Sequence, residues 1–239
     1  MISPMQLQIA KATPPFTGAA WAARAELYAA LIAEHLSPQT AWLDAGCGWR
    51  LLEDDLDSLE DWLVQACRTI IGMDVSVTSH RNVRRLVEGS LYEMPFADHS
   101  LDLVTCNMVV EHLDHPGCAF VEIARCLRPS GVLIVHTPNL NNYGIMGNAI
   151  VSRVFPESWR RRLIVGTDDR KPEEFFPVRY KANRMSKLLR LLEISGFEPH
   201  RFQPVPQQAP FFRKTAKLER FLMRLTPYSG LLVCAHRRP

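Results

Sequence analysis

Leu43-Asp44-Ala45-Gly46-Cys47-Gly48-Trp49-Arg50 is the stretch whose reading decides the fold. Ala41-Trp42 precedes it and, with Leu43, reads as a short buried strand. After the turn, Leu52, Leu56, Leu59, Trp62, Leu63 and Ala66 recur every three or four residues, as on one face of a helix. Glu53, Asp54, Asp55, Asp57, Glu60 and Asp61 fall between them and are expected to face solvent. A strand, a glycine turn and a helix in that order bring backbone close to a ligand at the carboxyl edge of a sheet. Glycine at 46 and 48 keeps a Cβ out of that approach.

Outward from this turn the chain alternates. A helix over 21–34 ends before Ser37-Pro38; residues 69–73 form a second strand ending at Asp74, and 83–88 a third. A fourth strand over 102–106 leads to a helix over 117–127. Arg128-Pro129-Ser130-Gly131 is a tight turn into a fifth strand, 132–136, which stops at Thr137-Pro138-Asn139. Repeated strand and helix predict an α/β chain with a doubly wound, mostly parallel sheet. Residues 140–183 break the rhythm and read as an insertion. A helix over 184–195 and two late strands, 199–204 and 231–235, complete the pattern. No repeat or flexible linker divides the 239 residues, so a single domain over 1–239 is expected, with its binding core at about 38–138 and a C-terminal part at 184–239.

Composition narrows the class. With 47% hydrophobic and 22% charged residues the chain can bury a core. No apolar run is long enough to span a bilayer, and Arg24, Glu26 and Glu34 interrupt the Ala/Leu-rich stretch at 19–36, so no signal peptide is expected. The six cysteines (47, 67, 106, 118, 126 and 234) have no CxxC spacing, which favours reduced thiols and a cytoplasmic location over a disulfide framework or zinc site. The net charge of +3 hides a split: 9 Lys/Arg against 17 Asp/Glu over residues 1–150, and 19 against 8 over 151–239. The basic part is expected to meet something anionic, or to be a solvated face.

The glycine turn alone would also suit a dinucleotide, but three details oppose that. Leu51 stands where a third glycine would pack helix on strand, the Asp44 carboxylate would repel a pyrophosphate, and Trp49-Arg50 occupy positions wanted for small residues. A carboxylate there suits an ammonium and a sulfonium instead. Asp74, at the end of the second strand, can accept from both hydroxyls of a ribose, or serve as an N-cap.

Five segments now resemble class I S-adenosylmethionine-dependent methyltransferases of the small-molecule type, in that family's order. Leu43 to Gly48 looks like the first motif, and Gly72-Met73-Asp74-Val75-Ser76 like the second. Glu88-Gly89-Ser90-Leu91-Tyr92-Glu93-Met94-Pro95-Phe96 resembles the segment that cups adenine. Residues 98–112 resemble the fourth strand and its loop, and Leu127-Arg128-Pro129-Ser130-Gly131 the turn before the fifth. The resemblance implies a seven-stranded sheet and S-adenosylmethionine as cofactor. It puts Asp44, Ala45, Gly46, Cys47 and Gly48 at the methionine end, Asp74 and Val75 at the ribose, Ser90 and Leu91 at the adenine, and Asn107 beside the methionine moiety. Two positions depart from the family: Ser90 stands where an acid is common, and Arg50 where glycine is.

Methyl transfer needs an aligned acceptor, and for a hydroxyl acceptor also a base. His112, just past the fourth strand in Val109-Val110-Glu111-His112, is the candidate catalytic residue, with Glu111 able to orient it. His136 and Tyr143 are weaker candidates, and His80 reads as a surface residue. No Asp, Glu and His cluster with ligand spacing lies nearby, so no metal is expected. The insertion carries Asn139, Asn141, Asn142, Tyr143, Arg160-Arg161-Arg162 and Glu173 to Tyr180, and is expected to choose the acceptor. Its loose resemblance to methyltransferases of bacterial glycan and lipid-linked pathways, with arginines that suit phosphate, points to an anionic glycan, nucleotide-sugar or lipid-linked acceptor at oxygen. Residues 211–225 form a basic amphipathic stretch, with Phe211, Leu218, Phe221, Leu222 and Leu225 on one side; it fits packing on its own domain or contact with the inner face of an anionic membrane. Nucleic acid is a poor candidate, for want of stacking aromatics among the basic residues. A non-catalytic binding or assembly protein on the same fold is the alternative.

Overall fold

Trp42 and Leu43 are neighbours on one strand and both are fully buried, which requires cover on both faces of the sheet. The computed structural model, which describes residues 20–52, 56–77, 79–154, 176–207 and 216–239, supplies it. In chain order the elements are α1 (Ala20–Glu34), β1 (Ala41–Ala45), α2 (Asp57–Gln65), β2 (Thr69–Asp74), β3 (Arg85–Glu88), β4 (Leu101–Asn107), α3 (Pro116–Cys126) and β5 (Leu127–Pro138). Then come α4 (Tyr143–Val154), α5 (Met185–Ile194), β6 (Phe197–Pro206), α6 (Ala216–Leu225) and β7 (Tyr228–Arg237). The seven strands lie in the order β3-β2-β1-β4-β5-β7-β6. All pairs are parallel except those of β7, which runs antiparallel to β5 and to β6.

Two cores follow from the pleat. On one face Trp42, Ile70, Leu103, Ile134 and Leu232 pack against Tyr28, Leu31 and Ile32 of α1 and Leu63 of α2. On the other, Leu43, Val104, Leu133, Val135 and Val233 pack against Phe120 and Ile123 of α3 and Leu188 and Leu192 of α5. Adjacent strand residues go to opposite cores, as a period of two demands. β1 sits centrally, so its carboxyl end at Ala45 opens where the strand order turns back from β2 to β4. That is the topological position at which sheets of this kind bind ligands.

The structure corrects several local expectations. The third strand starts at Arg85 rather than 83. Residues 128–131 stay within β5 as a wide bulge: Leu127 pairs with Leu101 and Val132 with Leu103, leaving them opposite Asp102. Ser130 has φ +63 there, and a Cβ on Gly131 would lie 2.8 Å from the Arg128 carbonyl, so the bulge requires glycine. Arg128 pairs with Asp102, whose second oxygen accepts from the Ala41 N–H at 2.7 Å. Glu60, expected in solvent, is fully buried. Its carboxylate accepts from the Leu52 N–H at 2.9 Å and from Arg81 Nε at 3.0 Å, tying the glycine-turn exit to α2 and to the loop before β3. His80 is half-buried, with Nδ1 accepting from the Asn82 and Val83 N–H groups, so it shapes that loop instead of facing solvent. Among the described residues no helix is long and apolar enough to cross a membrane.

Candidate functional site

The turn after β1 is fixed before any ligand is considered. The Gly46 and Cys47 N–H groups donate to the Met73 carbonyl at 2.7 and 3.1 Å, locking the turn over the end of β2. Gly46 and Gly48 have φ of +78 and +52, in the left-handed region. A Cβ on Gly46 would come within 2.2 Å of Val109 Cγ2, so this glycine admits the loop after β4. A Cβ on Gly48 would meet nothing within 4 Å, so this glycine leaves open space at the sheet edge. Arg50, where the related family commonly has glycine, turns away: its guanidinium pairs with Asp57 and lies over the Trp49 ring at 4.8 Å.

Asp44 lies beneath the turn, 4% exposed, with Oδ1 accepting from the Thr105 hydroxyl at 2.7 Å. Burial raises its pKa to about 7, against the Thr105 hydrogen bond, with the Asp74 charge adding to the rise. Asp74 is half-buried at the strand end. Its Oδ2 accepts from the Gly48 N–H at 3.0 Å and Oδ1 from the Val75 N–H at 2.7 Å. Each carboxylate oxygen keeps a further lone pair, so Asp74 can hold the turn and still accept from two hydroxyls.

A cavity of about 450 Å³ opens at this edge. Gly46, Asp74, Val75 and Leu91 line it on the cofactor side; Glu111 and His112, from the segment after β4, and Phe176, from the end of the insertion, line it on the other. Asp44, Ala45, Cys47, Gly48, Ser90 and Asn107 are not on its wall. Ala45 and Cys47 are buried behind the turn. Ser90 Oγ accepts from the Tyr92 N–H at 3.2 Å, which shapes the loop that presents Leu91. Asn107 Oδ1 bonds His136 Nδ1 at 2.8 Å, at the end of β4.

The candidate base sits on a one-turn 3-10 helix, Val110–His112. His112 Nδ1 lies 3.2 Å from the Pro177 carbonyl. A carbonyl only accepts, so Nδ1 carries the proton and Nε2 keeps its lone pair. Burial lowers the His112 pKa, against the pull of backbone carbonyls at Pro177 and Phe176, so the ring is neutral near pH 7. Phe176 meets it edge-on, with ring centroids 6.1 Å apart.

Glu111 points inward. It is 2% exposed, its Oε2 accepts from the Thr137 hydroxyl at 2.9 Å, and burial lifts its pKa to about 7. Asn183 Nδ2 in turn donates to Thr137 Oγ1 at 2.7 Å. The Glu111 carbonyl accepts from the Arg179 and Tyr180 N–H groups at 2.6 and 3.0 Å, and Arg179 pairs with Asp114 at 3.1 Å. The end of the insertion is thus docked onto the loop that carries His112. Residues 155–175, with Arg160-Arg161-Arg162 and Glu173 to Phe175, lie outside the described residues.

The weaker base candidates are spoken for. His136 is buried, and burial drives its pKa to about 3. The Tyr143 hydroxyl donates to Glu219 at 2.7 Å, while Asn142 caps α4, accepting from the Gly144 N–H at 3.0 Å. Sequence reading missed Thr105, Thr137 and Asn183, whose partners lie 26 to 61 positions away, and Met108, which lines the cavity with φ +57.

The edge fits a nucleoside with a cationic tail: a strand-end carboxylate with spare lone pairs, an open glycine, and two buried acids beneath and beside the turn. Comparison agrees. Residues 43–135 match the family model described as "Methyltransferase domain". A probable S-adenosylmethionine-dependent methyltransferase of Mycolicibacterium smegmatis is 34% identical over 103 residues, covering 41% of this chain and 37% of that protein. A malonyl-[acyl-carrier protein] O-methyltransferase of Hahella chejuensis is 35% identical over 98 residues, 40% of this chain and 35% of its own length. The chain thus matches little more than a third of the length of these relatives. A putative methyltransferase from Bacillus halodurans superposes with a TM-score of 0.58 at 14% identity, over 88% of this chain and 99% of that one, which establishes the fold. Residues 43–135 thus resemble a methyltransferase domain, S-adenosylmethionine-dependent relatives are similar over that stretch, and the fold is that of a solved methyltransferase.

Proposed function

We propose that the protein transfers a methyl group to the oxygen of a small, anionic acceptor, with His112 as the general base. The observation that carries this reading is the shared cavity: Asp74 and Gly46 line it together with a neutral His112 whose Nε2, unprotonated while Nδ1 donates to Pro177, can take a proton. When bound, S-adenosylmethionine supplies an electrophilic methyl on a sulfonium, with a neutral thioether as leaving group. Asp74 would hold the ribose, the Leu91 backbone the adenine, and the backbone at Gly46 and Gly48 the methionine end. Ionised Asp44 and Glu111 would favour the cationic tail over its neutral product. His112 takes the acceptor hydroxyl proton on Nε2 while Pro177 holds Nδ1, and Phe176 limits the ring's rotation.

The acceptor reading rests on charge and placement. Residues 151–239 carry a surplus of 11 positive charges, being 19 Lys/Arg less 8 Asp/Glu, and their segment at 176–180 is docked on the His112 loop. A phosphorylated glycan, nucleotide sugar or lipid-linked intermediate suits that charge. On α6, Leu218, Phe221 and Leu225 are exposed beside Lys217, Arg220 and Arg224, a surface suited to the anionic face of a membrane. Residues 211–215, the start of that stretch, lie outside the described residues.

The test is production of S-adenosylhomocysteine from S-adenosylmethionine with phosphorylated sugars, nucleotide sugars and lipid-linked sugars as acceptors. His112→Ala is expected to lower turnover by roughly 10²–10⁴-fold with cofactor affinity unchanged. Full activity in that variant would remove the base. No product with any acceptor, from a protein that binds the cofactor, would replace the enzyme with a binding or assembly role.

A further inference from the structure

The edge of the sheet remote from the cofactor carries a second cluster of chemistry. His35 follows the last residue of α1, Cys234 lies on β7, and His200 lies on β6. A β-bulge brings the last of these in: Pro199 pairs with Ala235 and Arg201 with Cys234, so His200 is the extra residue. Bulges re-aim side chains, and this one leaves both His200 and Arg201 directed at the end of α1. Arg201 pairs there with both oxygens of Glu34, at 2.7 and 2.5 Å, which neutralises its charge.

Cys234 Sγ lies 3.4 Å from His35 Nε2. In a tetrahedral zinc site with Zn–S about 2.3 Å and Zn–N about 2.05 Å, the sulfur–nitrogen edge is about 3.5 Å. One nitrogen of His200 completes a triangle of ligand atoms within 4.8 Å of one another. Its ring stacks on His236, with centroids 4.1 Å apart and planes at 19°. The thiol is buried, whereas His200 is exposed, so the site has a closed floor and an open side for a fourth ligand from solvent. The carboxyl end of α1 adds the negative pole of its helix to the cluster.

We propose that His35, His200 and Cys234 bind a zinc ion that ties the end of α1 to the β6–β7 ribbon, with His236 holding the His200 ring. Two imidazoles and one thiolate are a borderline-soft donor set that suits Zn²⁺ and not Mg²⁺ or Ca²⁺. On binding, the Cys234 proton leaves to solvent and an S–Zn bond forms. Three separate elements supply the ligands, so no spacing in the sequence announces them. The site lies apart from the methyl-transfer chemistry: Cys234 pairs with Ile134, four residues back from the carboxyl end of β5, about 13 Å along the strand.

The test uses full-length, tag-free protein stripped with chelator and titrated with zinc alone against a competing chromophoric chelator, with cobalt as the spectroscopic probe. Expected are one zinc per chain and a thiolate-to-cobalt charge-transfer band. His200→Ala, Cys234→Ser and His35→Ala should each weaken zinc binding at least about a hundredfold, and His236→Ala roughly tenfold. Cys118→Ser, an exposed thiol elsewhere, should leave it unchanged. Circular dichroism checks folding; His200 is at the surface, so its variant keeps the test decisive if Cys234→Ser unfolds. No stoichiometric uptake by the wild type, or undiminished uptake in folded His200→Ala, would overturn the site.

Discussion

Gly46 and Gly48 stand two positions apart in one turn and meet opposite surroundings, so one substitution made at both separates fold from binding. Gly46→Ala puts a Cβ within 2.2 Å of Val109 on a backbone at φ +78, and should cost about 2–4 kcal/mol in denaturant unfolding. Gly48→Ala meets open space and should cost about 1 kcal/mol from its left-handed backbone, while weakening cofactor binding. Glu111 makes a second prediction at this scale. Its pKa in the fold, about 7, lies above its ordinary 4.5, so the stability of its protonated form is present at low pH and lost as pH rises through 7. Glu111→Gln in the cofactor-free protein should match the wild type near pH 4, below the ordinary pKa, and exceed it by about 3 kcal/mol at pH 8, the difference growing between about pH 4.5 and 7. The same difference at both pH values would contradict the buried-acid reading. Asp44, Asp74 and His112 stood out in the sequence because strand ends announce them. The Asn183–Thr137–Glu111 chain did not, since hydrogen bonds spanning 46 and 26 positions leave no local pattern.

Among elements, those with a full apolar period were legible and those shaped by polar partners were not. β1, β2 and β4 were readable because a strand covered on both faces holds consecutive apolar residues, as in Ala41 to Leu43, Ile70-Ile71 and Leu103-Val104. α2 was readable from its stripe, but Glu60 was assigned to solvent because its partners, Arg81 and the Leu52 N–H, arrive from outside the helix. The bulge in β5 was read as a plain turn, because Pro and Gly mark a break without saying whether pairing resumes in the same strand. α6 inverts the usual arrangement: Glu219 is buried against Tyr143 while Leu218, Phe221 and Leu225 lie exposed. Co-sedimentation with vesicles containing phosphatidylglycerol should therefore retain the protein at low salt, and neutral vesicles should not. Phe221→Asp with Leu225→Asp should abolish retention; unaffected retention would remove α6 as the contact.

At the scale of the whole molecule, strand order decides where chemistry happens. β1 lies between β2 and β4, so the ends of all three converge on the edge where the glycine turn, Asp74 and the His112 loop meet. The alternation of strands and helices made this edge legible from sequence. The antiparallel insertion of β7 between β5 and β6 was not readable from residues alone, because pairing partners so far apart are fixed by tertiary contact. The charge split falls across the same molecule, with acids at the cofactor side of the chain and the basic surplus after residue 150. The measurement that tests the central claim most directly is calorimetric titration of S-adenosylmethionine and S-adenosylhomocysteine into the wild type and Asp74→Ala. Micromolar binding to the wild type is expected, with affinity at least tenfold weaker, about 1.4 kcal/mol or more, in a folded Asp74→Ala. No binding to the folded wild type, or equal affinity in the variant, would contradict the claim.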